Sequence, residues 1–382
     1  MESSNSGATP QGKPLETALT ECIQSYDQSY TGPGDEIDGN YPKNLHRVVS
    51  NWIEWCRKQE TTTLEDVSTR TMQRYASRLQ QRVRAQQADS SNGISAASAW
   101  TYYNVVSAFL SWAVRWEYLT ENPAEKERAK KELPARPSSN SGDQQFWSAN
   151  QRQAIVRYVG EQARNAIDDP ETDPFDAVRN RAVVTTLAYT GVRGSEVLAD
   201  YRDDRRNGLR WDSVDLEQGV ITVLGKNQQR EQTALPDQAV APLERLRTLV
   251  DPPAERWPVF PSRHPPSLYE RIDAAGYENP DADPWQFVLE KGIEPPSMST
   301  SGARTLLKRL SDEAPIPDLE GDGYLTLHGA RRGVGETLYR ERGAAAAQRT
   351  LRHADPQTTS EMYSHIEASE LAADNTAVFD TE

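Results

Sequence analysis

The chain has 382 residues, two cysteines and a formal net charge of −14 at pH 7. That length suits two to three domains with sizeable cores, and no run of 18 apolar residues is present, so no membrane span is expected. Cys22 and Cys56 fall at apolar positions of helical patterns, which excludes a disulfide framework and leaves too few ligands for a structural zinc site. The acidity argues against simple attraction to a polyanion. Yet of the 43 cationic residues only nine are lysine and the rest are arginine. Excess acid, scarce lysine and many small polar residues resemble proteins of salt-accumulating organisms, whose acidic surfaces keep them soluble. The placing of the arginines, not the net charge, therefore has to carry the functional argument.

Residues 1–14 are rich in Ser, Gly and Pro without an apolar core, and read as a disordered tail rather than a secretory leader. Residues 15–124 read as a helical domain built from four stripes at 3.6-residue spacing. They are Leu15/Ala18/Leu19/Cys22/Ile23/Tyr26, Leu45/Val48/Val49/Trp52/Ile53/Cys56, Met72/Tyr75/Leu79/Val83 and Tyr102/Val105/Phe109/Trp112/Trp116. The third also carries Arg70, Arg74, Arg78 and Arg82, one every four residues, with no acid between Arg70 and Gln87. Such a basic ridge is either a solvated face or a contact for a nucleic-acid backbone. Asn122-Pro123 ends the fourth helix, because proline disfavours helix in the residue before it. Residues 125–145 turn charged and then Pro/Ser/Asn/Gly-rich, the composition of a linker.

Residues 146–370 form the second domain. Ser148-x-x-Gln151 reads as a capping box opening a helix. The apolar run from Ala177 to Ala188 reads as a buried helix stopped by Thr190-Gly191. Arg193 follows that turn directly, with Ser195 a candidate N-cap and Glu196 placed either to orient Arg193 or to favour the helix start. Val220–Leu224 is a β-branched run that reads as a strand, and Gln232–Leu235 can return beside it, which puts Lys226 at a hairpin tip. Residues 251–323 are Pro-rich and weakly patterned; His264 there reads as a loop residue. Then come His328 and Arg331, three apart and so on one helical face, followed by Leu351-Arg352-His353 and Tyr363 with His365. Arginine forks suit a phosphate, and a tyrosine beside them can act as a covalent nucleophile. Residues 371–382 are an acidic tail. The elements add up to a mainly α chain with a small antiparallel sheet, α+β in class.

In this order these residues resemble the tyrosine recombinase (phage integrase) family. Thr190-Gly191-Val192-Arg193-Gly194-Ser195-Glu196 is similar to the family's arginine turn, and Gly225-Lys226 to its hairpin lysine. His328-x-x-Arg331, Leu351-Arg352-His353 and Thr358-Thr359…Tyr363-x-His365 match the later motifs. The helices before Asn122-Pro123 look like the family's SAM-like core-binding domain, so the resemblance spans about residues 15 to 370. Three departures stand out, one being that the stretch from Gly343 to His353 is about two residues short. Arg352 occupies a position where the family has glycine, and Tyr363 follows His353 by ten residues where nine is commoner. One extra residue rotates a helical side chain by about 100°, so either a loop absorbs it or the tyrosine is displaced.

The resemblance implies cutting and rejoining of double-stranded DNA through a 3′-phosphotyrosyl link at Tyr363. Arg193 and Arg331 would stabilise the pentacoordinate phosphate. Lys226 would protonate the leaving 5′-oxygen, His328 would assist proton transfer, and His353 would bond a phosphate oxygen. It implies a site-specific recombinase that assembles as a tetramer on DNA, with accessory DNA-bending proteins as further partners, in the cytoplasm at the nucleoid. The composition points to a halophilic archaeal source. No cofactor or metal is expected, since there is neither a Gly-x-x-x-x-Gly-Lys-Ser/Thr motif nor a carboxylate cluster demanding Mg²⁺. Two other readings use the same residues: a DNA-binding regulator of this fold with altered catalysis, and a type IB topoisomerase-like relaxing enzyme.

Overall fold

The computed structural model describes residues 12–87, 93–136, 145–225, 228–319, 323–355, 357, 359–360 and 362–363. Over these residues the chain is mainly helical with one small antiparallel sheet, an α+β arrangement. It divides into an N-terminal and a C-terminal compact unit, with the break in the main run of the chain after Ser139.

The first unit is a bundle of α1 (Leu15–Gln24), α2 (Asn40–Arg57), α3 (Thr69–Gln87), α4 (Ala96–Arg115) and the single turn α5 (Glu127–Lys130). The first three stripes of the sequence point inward, with Leu15, Cys22, Val49, Trp52, Met72 and Leu79 all essentially inaccessible. Both cysteines are buried and unpaired to each other, and burial raises both thiol pKa values to about 12. The stripe expected for α4 holds in part: Phe109 and Trp112 are buried, but Tyr102 and Val105 are only half-buried. Tyr103, Val106, Phe109, Leu110 and Ala113 are buried, whereas Trp116 is half exposed at the C-cap. The physical reason is that α4 is apolar almost all round, so spacing alone does not select its inner face. Tyr26 also leaves its stripe: α1 ends at Gln24, and Tyr26 lies exposed, edge-on to Tyr41 at 5.1 Å. Truncating Phe109, wedged between Trp52 and Trp112, would cost about 3–5 kcal/mol. Residues 125–133 belong to the linker in the sequence reading, yet Ala129 is fully buried here and Leu133 packs beside it.

The second unit is built around α7 (Phe175–Thr190), buried on nearly every face from Val178 to Thr190. It packs against α6 (Ala149–Asp168), α9 (Asp237–Val250) and α13 (Leu327–Arg342). The expected Ser148/Gln151 capping box opens α6. Gly191 ends α7 at φ +68°, a left-handed cap that glycine adopts without strain. After the turn α8 (Gly194–Val197), β1 (Val214–Asp215), β2 (Val220–Leu224) and β3 (Arg230–Ala234) form an antiparallel sheet in that order. Ile221 pairs with Thr233 and Val223 with Glu231, and both apolar residues face the core. β1, two residues long, has no pattern that a sequence reading could detect. The Pro-rich stretch holds α10 (Pro265–Ala274), α11 (Pro284–Lys291) and α12 (Thr300–Glu313). His264 is the residue before α10, its ring bonded to Ser267 Oγ at 3.2 Å. α14 (Ala344–Leu351) follows α13.

A strap from the entry of this unit fixes the start of α13. The Trp147 indole donates to the Thr326 carbonyl at 3.0 Å, and its amide donates to Gly329 O at 3.1 Å. Thr326 caps α13 by accepting from the Gly329 amide at 2.9 Å. Gly333 makes this fit possible, because a Cβ there would lie 3.0 Å from the Trp147 backbone nitrogen and nearer still to its carbonyl oxygen. Alanine normally gains about 1 kcal/mol over glycine inside a helix. Gly333→Ala should reverse that sign and destabilise by about 1–3 kcal/mol through overpacking. Gly32→Ala, with open space around it, should not. Denaturant unfolding of the two variants checks this; equal midpoints would remove the strap as a constraint.

Candidate active site

Three separate segments meet in the second unit: the Arg193 turn after α7, the first half of α13, and the end of α14. Arg331 joins them. Its side chain, 3% exposed, donates to Gly191 O at 2.6 Å and to Leu351 O. These carbonyls lie at the C-terminal ends of α7 and α14, where the helix dipole presents partial negative charge, worth about 0.3–1 kcal/mol each to a cation. Burial, and next the charge of Arg193, lower the Arg331 pKa to about 10, so it stays cationic at neutral pH.

Arg193 is organised differently. Its guanidinium pairs with Glu196 at 2.7 Å, and its amide donates to the other oxygen of that carboxylate, also at 2.7 Å. Arg193 and Glu196, not Ser195, therefore cap α8. The Glu196 side chain has no exposure, and Arg352 bonds the same oxygen that accepts from the Arg193 amide. Burial works to raise the Glu196 pKa, but the Arg352 charge and the bonds from Arg193 and Arg352 outweigh it and hold the carboxyl below its usual range. Arg352 also bonds Glu231 on β3 at 3.0 Å. Its backbone sits at φ +53°, the left-handed conformation that favours glycine and costs other residues about 1–2 kcal/mol.

His328 lies on α13 one turn before Arg331, and its side chain is accessible. Desolvation, then Arg332, Arg331 and Arg193, press its pKa down to about 4. Water screens so accessible a ring, so the consequence that matters is the direction: a neutral imidazole at neutral pH. His353 is pressed to about 4 by burial and then by Arg331 and Arg193, while its Nδ1 meets Thr359 Oγ1 at 2.9 Å. Two uncharged imidazoles thus stand among arginines.

Tyr363 is wholly buried, its ring against Tyr339 at 5.2 Å and Phe146 at 6.2 Å. The hydroxyl donates to Arg332 O at 3.3 Å. It lies over Gly335, where a Cβ would come within 2.9 Å of Tyr363 Cζ. Burial raises the phenol pKa, while Arg331 and Arg332 oppose the rise. The tyrosine is therefore near the arginine cluster but bonded to the main chain of α13. The extra residue after His353 has not carried it out of reach of the arginine charges. Lys226 and His365 lie outside the described residues. So Arg193, His328, Arg331 and His353 converge, with Tyr363 adjacent. Missed by the sequence reading were Glu231 and Arg206. The Arg206 guanidinium donates to Ser195 O, to Leu224 O at 2.9 Å and to Gly225 O at 2.9 Å, tying the arginine turn to the sheet.

In the first unit, Arg70, Arg74 and Arg78 are exposed along α3 and Arg82 is half-buried. Arg78 and Arg82 line a cleft of about 230 Å³ together with Arg47 and Asn51 of α2, and its walls include the aromatic rings of Trp55, Tyr75 and Tyr102. Arg47 lies over the Tyr102 ring at 5.6 Å. Among the described residues no group of three or more His, Cys, Asp or Glu could hold a metal, and no helix is long and apolar enough to cross a membrane.

This combination of a helical N-terminal unit and an Arg–His–Arg–His site with a neighbouring tyrosine defines the phage integrase class of fold. Residues 158–370 match the phage integrase family and residues 26–131 match the phage integrase SAM-like domain. The chain belongs to the phage integrase family. It is 27% identical over 177 residues to tyrosine recombinase XerC of Xylella fastidiosa strain M23, covering 46% of this chain and 50% of the relative. To XerC of Xanthomonas axonopodis pv. citri it is 25% identical over 228 residues, 59% of this chain and 64% of the relative. The chain thus spans roughly half to two-thirds of the length of the curated relatives it matches. Similar solved structures include the Tn1549 transposon integrase in complex with transposon right end DNA, at TM-score 0.58 and 12% identity. That match covers 95% of this chain and 99% of the other. XerH recombinase bound to difH substrate in a post-cleavage complex gives 0.53 at 13% identity, with 96% and 98% coverage.

The two imidazoles, half-buried at His353 and exposed at His328, set a pH dependence whose sign can be worked out. Their folded pKa values near 4 lie below the roughly 6.5 of an unfolded histidine. The unfolded chain then binds more protons between those values, so stability is full above about pH 6.5 and falls as pH drops toward about 4. Glu196, held low, adds a loss further into acid. The urea midpoint should fall between about pH 7.5 and pH 5, and His353→Gln should shrink the difference. An undiminished difference in the variant would exclude His353 as a source.

Proposed function

We propose that this chain is a site-specific DNA recombinase working through a covalent tyrosyl intermediate. The observation that carries the reading is the meeting of Arg193, Arg331, His328 and His353 beside Tyr363. It is supported by the recombinase identity of the relatives and by the DNA seen in the related complexes. In this reading the Tyr363 oxygen attacks a DNA phosphorus. The phosphorus–O5′ bond breaks, leaving a 3′-phosphotyrosyl link and a 5′-hydroxyl, and the reverse attack by another 5′-hydroxyl rejoins the strands. The energy of the phosphodiester is kept in the link, so no nucleotide triphosphate is consumed.

Each residue has a role set by its surroundings. Arg331, held by carbonyl dipoles rather than by a carboxylate bond, keeps its charge for the phosphoryl oxygens, and Arg193 adds a second fork. A phosphate arriving among these groups raises the imidazole pKa values, so His328 can accept the tyrosyl proton while His353 bonds a phosphate oxygen. Lys226 is assigned as the donor to the leaving 5′-oxygen. Tyr363 must first leave the Arg332 carbonyl, which makes its release a step before chemistry. We assign the first unit to DNA binding, with Arg70, Arg74, Arg78 and Arg82 on phosphates, and assembly to a tetramer on DNA. Accessory DNA-bending proteins and a salt-rich, nucleoid-associated setting complete the proposal.

A nicked suicide substrate carrying the protein's own site should trap a covalent complex in high salt, and Tyr363→Phe should abolish it. Arg193→Ala or Arg331→Ala should lower the rate by about 10²–10³. Trapping by Tyr363→Phe equal to wild type would remove Tyr363 as nucleophile. Arg74→Ala and Arg78→Ala should weaken binding to all sequences alike and each reduce the slope of log affinity against log salt by about 1. Unchanged slopes would return α3 to a solvated face.

A further inference from the structure

We propose that Arg352 is a positioning residue for the cleavage reaction, holding Glu196 behind Arg193 and locking β3 to the arginine turn through Glu231. The inference rests on the recombinase reading and assigns a role to a residue that departs from the family's pattern.

The geometry is that of a built clamp rather than of a surface ion pair. The Arg352 side chain is 10% exposed and the Glu196 side chain not at all. Arg352 takes Glu196 with Nη2 and Glu231 with Nε, so its planar fork spans two acids from two elements. Glu196 in turn holds both the guanidinium and the amide of Arg193. The orientation of Arg193 is thus fixed from behind by a carboxylate whose charge is maintained by Arg352. On the other side, Glu231 lies directly over Gly225 at the end of β2, leaving no room for a Cβ there. Arg206 ties the Leu224 and Gly225 carbonyls to that of Ser195. Two arginines from distant parts of the chain therefore brace the same junction between the arginine turn and the hairpin. Glycine at 352 would suit the φ of +53° better. Arginine is kept in an unfavourable backbone conformation where its side chain makes contacts that glycine cannot.

Removing the clamp should leave Glu196 buried with one cation instead of two. Its carboxyl then protonates at higher pH and releases its hold on Arg193. The test compares full-length wild type with Arg352→Gly, Arg352→Lys and Glu231→Gln in single-turnover cleavage of the nicked substrate. Arg352→Gly should slow cleavage at saturating DNA by about tenfold or more, with the half-saturating DNA concentration changed by less than about twofold. The acid limb of its pH–rate profile should move to higher pH, while its melting temperature stays near wild type because the left-handed strain is relieved. Arg352→Lys, able to hold one acid, should recover part of the rate, and Glu231→Gln should fall between wild type and Arg352→Gly. Wild-type cleavage with an equally active Arg352→Gly would overturn this assignment alone. So would a rate loss matched by a lowered melting temperature with the acid limb unmoved. No cleavage by wild type on any flanking site would overturn the recombinase reading and this assignment with it.

Discussion

Arg331 reaches from α13 to the last carbonyls of two other helices, and the arrangement of the site follows from where those helices stop. A buried cation without compensation is among the most expensive things a fold can contain. Here the compensation comes from the Gly191 and Leu351 carbonyls, at helix ends whose dipoles point their negative poles at the guanidinium. Each carbonyl is available only because its helix ends there, at Gly191 and Arg352 in left-handed conformations. The backbone stops of α7 and α14 and the placing of Arg331 are one constraint seen from three sides. Losing any of them would separate the Arg193 turn from His353.

The proposed reading has to reconcile a chain of net charge −14 with an anionic substrate, and the site does so locally. Acidity is a property of the whole chain, whereas Arg193, Arg331, Arg332 and Arg352 gather within one region of the second unit. Among the described residues, Glu196 and Glu231 bond into that group, and each is committed to holding an arginine. The imidazoles of His328 and His353 are kept neutral by their surroundings, so they add no repulsion to the cluster until a phosphate is present. Tyr363 is held apart by a main-chain bond and by two aromatic rings, which in the proposed reading separates storage of the nucleophile from its use.

Much of this was legible in the residues, for reasons that differ by element. The α7 stop could be read because Thr190-Gly191 breaks a long apolar run, and β2 because Val220–Leu224 is β-branched between turn residues. The pairing of His328 with Arg331 follows from helical spacing alone. The α4 face could be read only in part, since a helix apolar on most sides offers several stripes and tertiary packing chooses among them. The Arg352 clamp could not be read: its partners Glu196 and Glu231 lie 156 and 121 residues away in sequence, and no local pattern connects them. Position 352 did stand out as a departure, but its purpose depended on which acids the fold brought to it. Gly333 and Gly335 mark close approaches whose neighbours no local pattern names: Trp147 for one and Tyr363 for the other.

The central claim is that one tyrosine, stored against α13, becomes the covalent carrier of DNA at the Arg331 site. Mass spectrometry of the trapped complex after nuclease and protease digestion reads that carrier directly. The account predicts a nucleotide remnant on the peptide containing Tyr363 and on no other. A remnant on the Tyr339 peptide, or on a residue that is not tyrosine, would contradict it.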